Sequence, residues 1–415
     1  MTSLNIWWVS QYASTPDQQY TAQHDLAKRL VAKGHRVTIF ATGFSHYKFK
    51  EVRLNPGEDW RTEECEGVRF VWVRTSPYNA NNWKRIVNMI SYGWSTYRLG
   101  RGFADPVDVI IGTTIQPLAA LAGYALSIAK RCPFIFEVRD FWPLTLIQFG
   151  KLSPKNPAAF LLSSLERFLA RKASRVLTTL PGASVYFKQY GIPAEKVVWI
   201  PNGLELSRYK DLKPYDGQWS GHFTLVYAGG HVQATALETV LKAARIDQDN
   251  GNKARFLFVG GGQAKAELMA LAGKLGLRNV EFRDPVPKNE LHRVMEKADA
   301  FIVSMQDLPD LYRYGISFNK LCDYVAAGRP VLFAGNPSNN VVEEFQCGIV
   351  APPENPAAFA DAIHKFENLT PGQRAEMGRN AIRCARERFD VVALADRLEK
   401  TLLSVVEESS NVRNG

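Results

Sequence analysis

The run Phe223-Thr-Leu-Val-Tyr-Ala-Gly-Gly-His231 decides the fold. Apolar, β-branched and aromatic residues stop at two glycines, and a helix-spaced stretch, Ala236–Ala244, follows. That is the order of a buried parallel strand, a turn at its carboxyl end and a crossover helix. Downstream, strands at Ala254–Val259, Val280–Arg283, Ala300–Ser304 and Pro330–Phe333 alternate with helices at Ala264–Leu275, Glu290–Ala298 and Ser317–Ala327. After Pro356, helical runs reach about Val406, and the polar tail beyond is expected to fray.

The same alternation precedes this run. Strands are expected at Leu4–Ser10, Arg36–Thr42, Val68–Arg74, Val107–Gly112, Pro133–Val138, Arg175–Thr179 and Lys196–Ile200. Helices are expected at Tyr20–Lys33, Leu118–Ala129, Ala158–Lys172 and Ala183–Tyr190. The series breaks at Pro201-Asn202-Gly203 and a polar stretch over 207–221. The fold class is therefore α/β, with two doubly wound parallel-sheet domains. Ligands bind such sheets beyond the carboxyl ends of the strands, so two facing domains are expected to enclose an interdomain cleft. No repeat of solenoid length is present.

Composition narrows the partners. The 415 residues are 46% hydrophobic and 22% charged, which excludes disorder, collagen or a disulfide scaffold as descriptions of the chain. Net charge is +10, and it is one-sided: residues 1–205 carry 25 Lys/Arg against 15 Asp/Glu, whereas 206–415 carry 26 of each. A basic field on one half fits either an anionic partner or a solvated face. Five scattered cysteines without a Cys-x-x-Cys pair fit a reducing compartment. The N-terminal apolar run is short and lacks a preceding basic region, so it reads as a strand rather than a secretion signal. No stretch approaches the ~20 apolar residues of a membrane span. A cytoplasmic protein is expected.

The chemistry-bearing positions lie at strand ends. Gly229, Gly230 and His231 follow one strand, and Gly260 and Gly261 follow the next; such glycines let backbone N–H groups approach a phosphate or ribose. The block Tyr314-Gly-Ile-Ser-Phe-Asn-Lys-Leu-Cys-Asp-Tyr-Val-Ala-Ala-Gly-Arg-Pro-Val331 is the sharpest signal. Ser317 and Asn319 suit a helix start, which puts Lys320 in the first turn, where an ammonium opposes the helix dipole unless an anion is bound. Asp323, about one turn on, shares that face and suits a ribose. In the first half, Phe134-Ile-Phe-Glu-Val-Arg-Asp-Phe-Trp-Pro143 ends a buried strand with Glu137, Arg139 and Asp140. These are candidates for catalysis, or an internal ion pair bracing the loop. His24 is expected on a helix surface. Asp247-Gln-Asp249, placed in a loop before a strand, is discounted as a metal triplet.

These residues, with Ile200-Pro-Asn-Gly203, resemble retaining glycosyltransferases of the GT-B fold, family four, and most of all the WbuB-like bacterial polysaccharide subgroup. The resemblance implies a nucleotide-sugar donor, usually a UDP-sugar, held by a C-terminal domain over 218–388. It implies an acceptor-binding domain over 1–200, joined by a C-terminal helix at about 390–408. Lys320 would contact the diphosphate and Asp323 the ribose, with Gly229, Gly230 and Ser317 assisting. The base would lie against Asp284-Pro-Val-Pro-Lys288 around Val286, and Arg313 would add positive charge. Asp140 would face the acceptor hydroxyl. No metal or other cofactor is implied, since helix dipole and basic side chains offset the leaving group's charge. The family's acid at position 315 is Gly315 here, Arg139 stands where a histidine is usual, and Asp17-Gln18-Gln19 replaces a glycine pair.

The family often uses polyprenyl-diphosphate-linked saccharide acceptors. Trp83-Lys-Arg-Ile-Val-Asn-Met-Ile-Ser-Tyr-Gly-Trp94 and Ala158–Lys172 mix aromatic, aliphatic and basic residues, as interfacial helices and ordinary packed helices both do. Together with the charge asymmetry they point to peripheral contact with an anionic inner membrane. No groove-reading motif points to nucleic acid. The expected activity is transfer of a sugar to a lipid-linked saccharide in bacterial cell-surface polysaccharide synthesis. Its rivals are a nucleotide-sugar epimerase and a non-catalytic nucleotide-sugar binding protein.

Overall fold

The computed structural model describes residues 3–17, 22–46, 48–80, 82–114, 116–219, 221–251, 254–287 and 290–414, with side chains to Asn411. The chain divides into two units, Met1–Pro201 with Val391–Gly415, and Asn202–Asp390.

The first unit is built on an eight-stranded sheet. Its order is Val197–Trp199, Arg175–Thr178, Phe134–Val138, Val109–Thr114, Asn5–Val9, Arg36–Thr42, Val68–Val73 and Trp60–Cys65. All neighbours are parallel except the last pair. Alternate residues of the first strand feed opposite layers. Ile6 and Trp8 meet Leu26 and Leu30 of helix Ala22–Ala32 and Leu394, Leu398 and Leu402 of helix Val391–Asn414. Trp7 and Val9 meet Tyr92 of helix Trp83–Gly102 and Ala119 and Leu126 of helix Pro117–Lys130. The long C-terminal helix is fastened by Glu399, which accepts from Lys33 at 2.8 Å and lies 3.0 Å from the His35 ring. It continues through Asn414, so the tail expected to fray past Val406 is helical.

The second unit is a six-stranded parallel sheet in the order Val280–Arg283, Arg255–Val259, Thr224–Ala228, Ala300–Ser304, Val331–Ala334 and Gly348–Ala351. The strand order reverses between Thr224–Ala228 and Ala300–Ser304, which is where such a sheet opens a ligand crevice. In the first sheet the reversal falls between Asn5–Val9 and Val109–Thr114.

Several local expectations are corrected. His24 is fully buried, its ring stacked on Phe70 at 5.9 Å, because this helix face turns to the sheet. Asp247 and Asp249 lie in the last turn of helix Leu237–Asp249, not in a loop, and Asp247 is buried. Gln18 and Gln19 fall outside the described residues.

Helix Pro117–Lys130 rests on its preceding strand glycine to glycine. A β-carbon on Gly123 would stand 3.0 Å from the Gly112 Cα, and one on Gly112 would stand 3.0 Å from the Ala120 Cα. Gly123→Val therefore drives a branched side chain into backbone and is expected to cost about 1–3 kcal/mol. Equilibrium urea unfolding followed by tryptophan fluorescence reads this unit selectively, since eight of the nine tryptophans belong to it. An unchanged midpoint would show that the helix can lift without cost.

Candidate active site

In the second unit the crevice is organised by one lysine. Helix Asn319–Ala326 opens with Phe318 as its cap and no side-chain acceptor on its first turn. The expected cap, Ser317, is occupied elsewhere. Its carbonyl accepts from Asn202 Nδ2 at 2.9 Å and its hydroxyl from the Asn202 amide at 3.4 Å. Asn202, buried at the start of the unit, also receives the Cys322 thiol on its carbonyl. The helix start is thus fixed by backbone ties while its first-turn N–H groups stay without a side-chain partner, a ready anion site.

Lys320, in that first turn, reaches the carboxyl end of strand Thr224–Ala228. Its Nζ donates to the Tyr227 hydroxyl at 2.7 Å and lies 4.5 Å from the Tyr227 ring centroid. Tyr227 in turn donates to the Gly230 carbonyl at 2.6 Å. A β-carbon on Gly229 would stand 3.4 Å from Lys320 Cε, so the glycine leaves room for the lysine. No carboxylate forms an ion pair with Lys320 among the described residues, and burial pushes its ammonium down to about 7. An ammonium held in this way at a strand end is poised to be recharged by an anion.

The two glycine loops are locked side by side. Gly229 donates to the Val259 carbonyl at 2.9 Å, Gly260 to the Arg283 carbonyl at 3.2 Å and His231 to the Gly261 carbonyl at 2.8 Å. A β-carbon on Gly260 would stand 2.0 Å from the Gly229 carbonyl oxygen, so this glycine is dictated by packing. The amides of Gly229 and Gly260, expected to meet phosphate, are spent in the sheet. Those of Gly230 and Gly261 have no acceptor among the described residues.

The other residues expected at the donor sit in varied surroundings. His231 is fully buried against Tyr227, Phe258 and Phe282. Asp323 is buried and accepts from the Tyr209 hydroxyl, so its carboxylate and Lys320 serve different partners rather than one open face. Arg313 is exposed, donates to the Tyr314 hydroxyl at 2.9 Å and lies 4.0 Å from Asp310. In the base loop Val286 is half-buried, Asp284 pairs with Lys265 at 2.8 Å, and Lys288 falls outside the described residues.

The first unit treats its charges differently. Glu137 is buried and accepts from Trp8 Nε1 at 2.9 Å, Gln23 Nε2 at 3.4 Å, Arg139 Nη1 at 3.1 Å and the Thr113 hydroxyl. Four donors leave it no capacity for a substrate. Glu137 and Arg139 thus form the internal ion pair that the sequence offered as the alternative to catalysis. Asp140 is exposed beside them, with desolvation raising its carboxyl above the usual range and Arg139 opposing that rise. Of the two acids it is the one left to meet a hydroxyl.

Two features were missed in the sequence. At the reversal point of the first sheet a buried amide and hydroxyl chain runs Gln116→Gln11 at 2.8 Å, Gln11→Asn88 at 2.7 Å and Asn88→Thr75 at 2.8 Å. Glu166, the lone acid of helix Pro157–Lys172, is also buried. It accepts from the Trp142 amide at 3.0 Å and the Tyr186 hydroxyl at 2.6 Å, holding the segment just after Asp140. A single acid inside an apolar helical repeat was the available signal.

Residues 19–203 match the glycosyl transferase 4-like domain family and residues 222–368 the glycosyl transferases group 1 family. The chain is 24% identical over 300 residues to the putative colanic acid biosynthesis glycosyl transferase WcaI of Escherichia coli (strain K12), covering 69% of this chain and 72% of the relative. Its structure is similar to sucrose-phosphate synthase from Thermosynechococcus elongatus, with TM-score 0.75, 16% identity and coverage of 98% of this chain and 100% of that one. HepE of Anabaena in complex with UDP-glucose matches with TM-score 0.69 and 17% identity over 97% of this chain and 100% of that one. The chain is a glycosyltransferase of the GT-B fold.

Among the described residues the atoms of His24, Cys65 and Glu66 lie within 4.8 Å of one another, the one grouping with metal-ligand character. Lys28 is already ion-paired with Glu66, which sets a cation where a metal would have to bind. None of the five cysteines is disulfide-bonded.

Burial raises the Glu166 carboxyl to about 8, despite the hydrogen bonds that oppose the shift. Its folded value exceeds the unfolded one, so the native state holds the extra proton and loses stability as pH rises from about 4.5 through 8. Glu166→Gln is expected to flatten that decline, which should amount to about 2–4 kcal/mol between pH 5 and 8. Urea unfolding of both proteins across this range checks it, and parallel curves would refute the buried-acid account.

Proposed function

We propose that the protein is a retaining transferase that moves a sugar from a nucleotide-sugar, a UDP-sugar by preference, to a lipid-linked saccharide in bacterial cell-surface polysaccharide synthesis. The observation that carries the reading is Lys320: an ammonium without a carboxylate, set at an uncapped helix start beside a glycine loop. A diphosphate supplies the missing charge and accepts from the free first-turn amides. The WcaI and HepE likenesses support a polysaccharide context and a UDP-sugar, and the Glu137-x-Arg139-Asp140-x-Trp142-Pro143 form supports the WbuB-like subgroup.

In this reading the second unit binds the donor and the first unit the acceptor. The bond between the anomeric carbon and the diphosphate oxygen breaks, and the acceptor oxygen bonds to the same face of that carbon. The hydroxyl proton passes to the departing diphosphate oxygen while Asp140 orients the hydroxyl by hydrogen bond. Lys320 and the helix amides stabilise the growing negative charge on the leaving group.

A thermal-shift panel of nucleotide sugars tests the donor, since binding raises the midpoint by mass action. UDP affinity should depend on pH, because Lys320 has to be protonated to hold the diphosphate. With the free-state value near 7, Kd is expected to rise up to about tenfold per pH unit above it. Lys320→Met should weaken UDP binding by about tenfold or more at pH 7 and abolish the pH slope, as read by titration calorimetry. Unaltered UDP binding in that variant would remove the basis of the reading. Asp140→Asn is expected to lower kcat about a hundredfold with donor Kd unchanged. A loss of donor affinity instead would place Asp140 on the wrong substrate.

A further inference from the structure

The layer of helices Trp83–Gly102, Pro117–Lys130 and Pro157–Lys172 covers one face of the first sheet. The first two share the Trp7–Phe40–Ile110 core, and the third packs beside them through Phe168 on Tyr124 at 5.3 Å. Outside that core, helix Trp83–Gly102 exposes a continuous apolar stripe. Trp83 is 67% exposed, Ile86 58%, Ile90 54% and Trp94 65%, at spacings of three and four residues along one side. Asn88, Met89, Tyr92 and Thr96 fill the buried side, so the helix already has its full core face and the stripe is surplus to folding. Helix Pro157–Lys172 adds Phe160, 77% exposed, and Leu161.

Charge follows the same face. The three helices together hold eight Lys/Arg and one acid, and that acid is the buried Glu166. The two helices on the other face of the sheet, Ala22–Ala32 and Val391–Asn414, hold five of each sign. Lys84 at one end of the stripe and Arg98 and Arg101 at the other are exposed, as are Arg167, Arg171 and Lys172. The excess charge read from the first half of the sequence is therefore concentrated on the face that carries the stripe.

We infer that this face docks on an anionic lipid bilayer, with helix Trp83–Gly102 lying flat in the headgroup region. Tryptophans at both ends of an apolar stripe suit the interface, where the ring body is dry and the indole N–H is wet. Isoleucines between them enter the acyl boundary, and the flanking ammonium and guanidinium groups meet lipid phosphates. A second copy of this chain would bring like charges together across the contact. A nucleic acid would meet the bases but leave the isoleucines without a dry partner. The inference stands apart from the donor site and holds whichever sugar is transferred.

Flotation of the full chain with phosphatidylglycerol–phosphatidylcholine vesicles tests it, with phosphatidylcholine vesicles as reference. The protein is expected to float with the anionic vesicles at low salt, and less as salt rises. Ile90→Glu with Trp94→Glu, both at exposed positions, should reduce the bound fraction about tenfold or more while leaving the unfolding midpoint in place. Val392→Glu, an exposed apolar position on the opposite layer, should float as the parent does. Equal flotation of the double variant, or no flotation of the parent, overturns the inference. So does a parent dimer that the double variant splits, or retention on single-stranded nucleic acid without flotation.

Discussion

The contact of the Lys320 ammonium with the Tyr227 hydroxyl is the constraint around which the second unit is arranged. A buried cation normally finds a carboxylate, because desolvation otherwise exceeds what one neutral hydrogen bond returns. Here a phenol and a ring face stand in for one, and the ammonium is pushed toward neutrality. Such an arrangement persists only because the surroundings fix it: Tyr227 is anchored to Gly230, the glycine loops to each other, and the helix start to Asn202. The rigidity of the neighbours leaves the charge, not the backbone, as the variable that a ligand resolves.

The first sheet shows the opposite solution at the equivalent place. Glu137 also ends a central parallel strand and is also buried, yet four donors satisfy it. It can organise the loop that carries Asp140 but has nothing left to offer a substrate. Glu166 acts on the same loop from behind, through the Trp142 amide. The Lys320 end of the second sheet is thus electrostatically open, and the Glu137 end of the first is closed except at Asp140. This division suits a reaction in which a leaving diphosphate needs charge while an acceptor hydroxyl needs orientation.

Much of this was legible in the sequence, and the losses have physical causes. Buried parallel strands announce themselves as continuous apolar runs, so Ala300–Ser304 was placed to the residue, as was Arg36–Thr42, which is buried beyond its first residue. Strands Trp60–Cys65 and Gly348–Ala351 were missed, because they lie at sheet edges and are polar or short. Lys320 in a first helical turn was readable from local spacing. Its partner Tyr227 lies 93 residues away, and only the fold brings them together. The lone histidine His24 misled because neighbouring polar residues imply a surface, whereas its ring completes aromatic packing. Ser317 was read as a cap by composition, but Asn202, remote in sequence, claims it first.

The helix Val391–Asn414 contributes Leu394, Leu398 and Leu402 to the core built on the first strands. During synthesis the ribosome delivers those leucines only after the whole of Asn202–Asp390 has emerged. The Asn202–Asp390 unit can therefore mature on the nascent chain while the earlier-made unit waits with one face of its sheet only partly covered. For that interval the part of the core that those leucines close is what a chaperone would find.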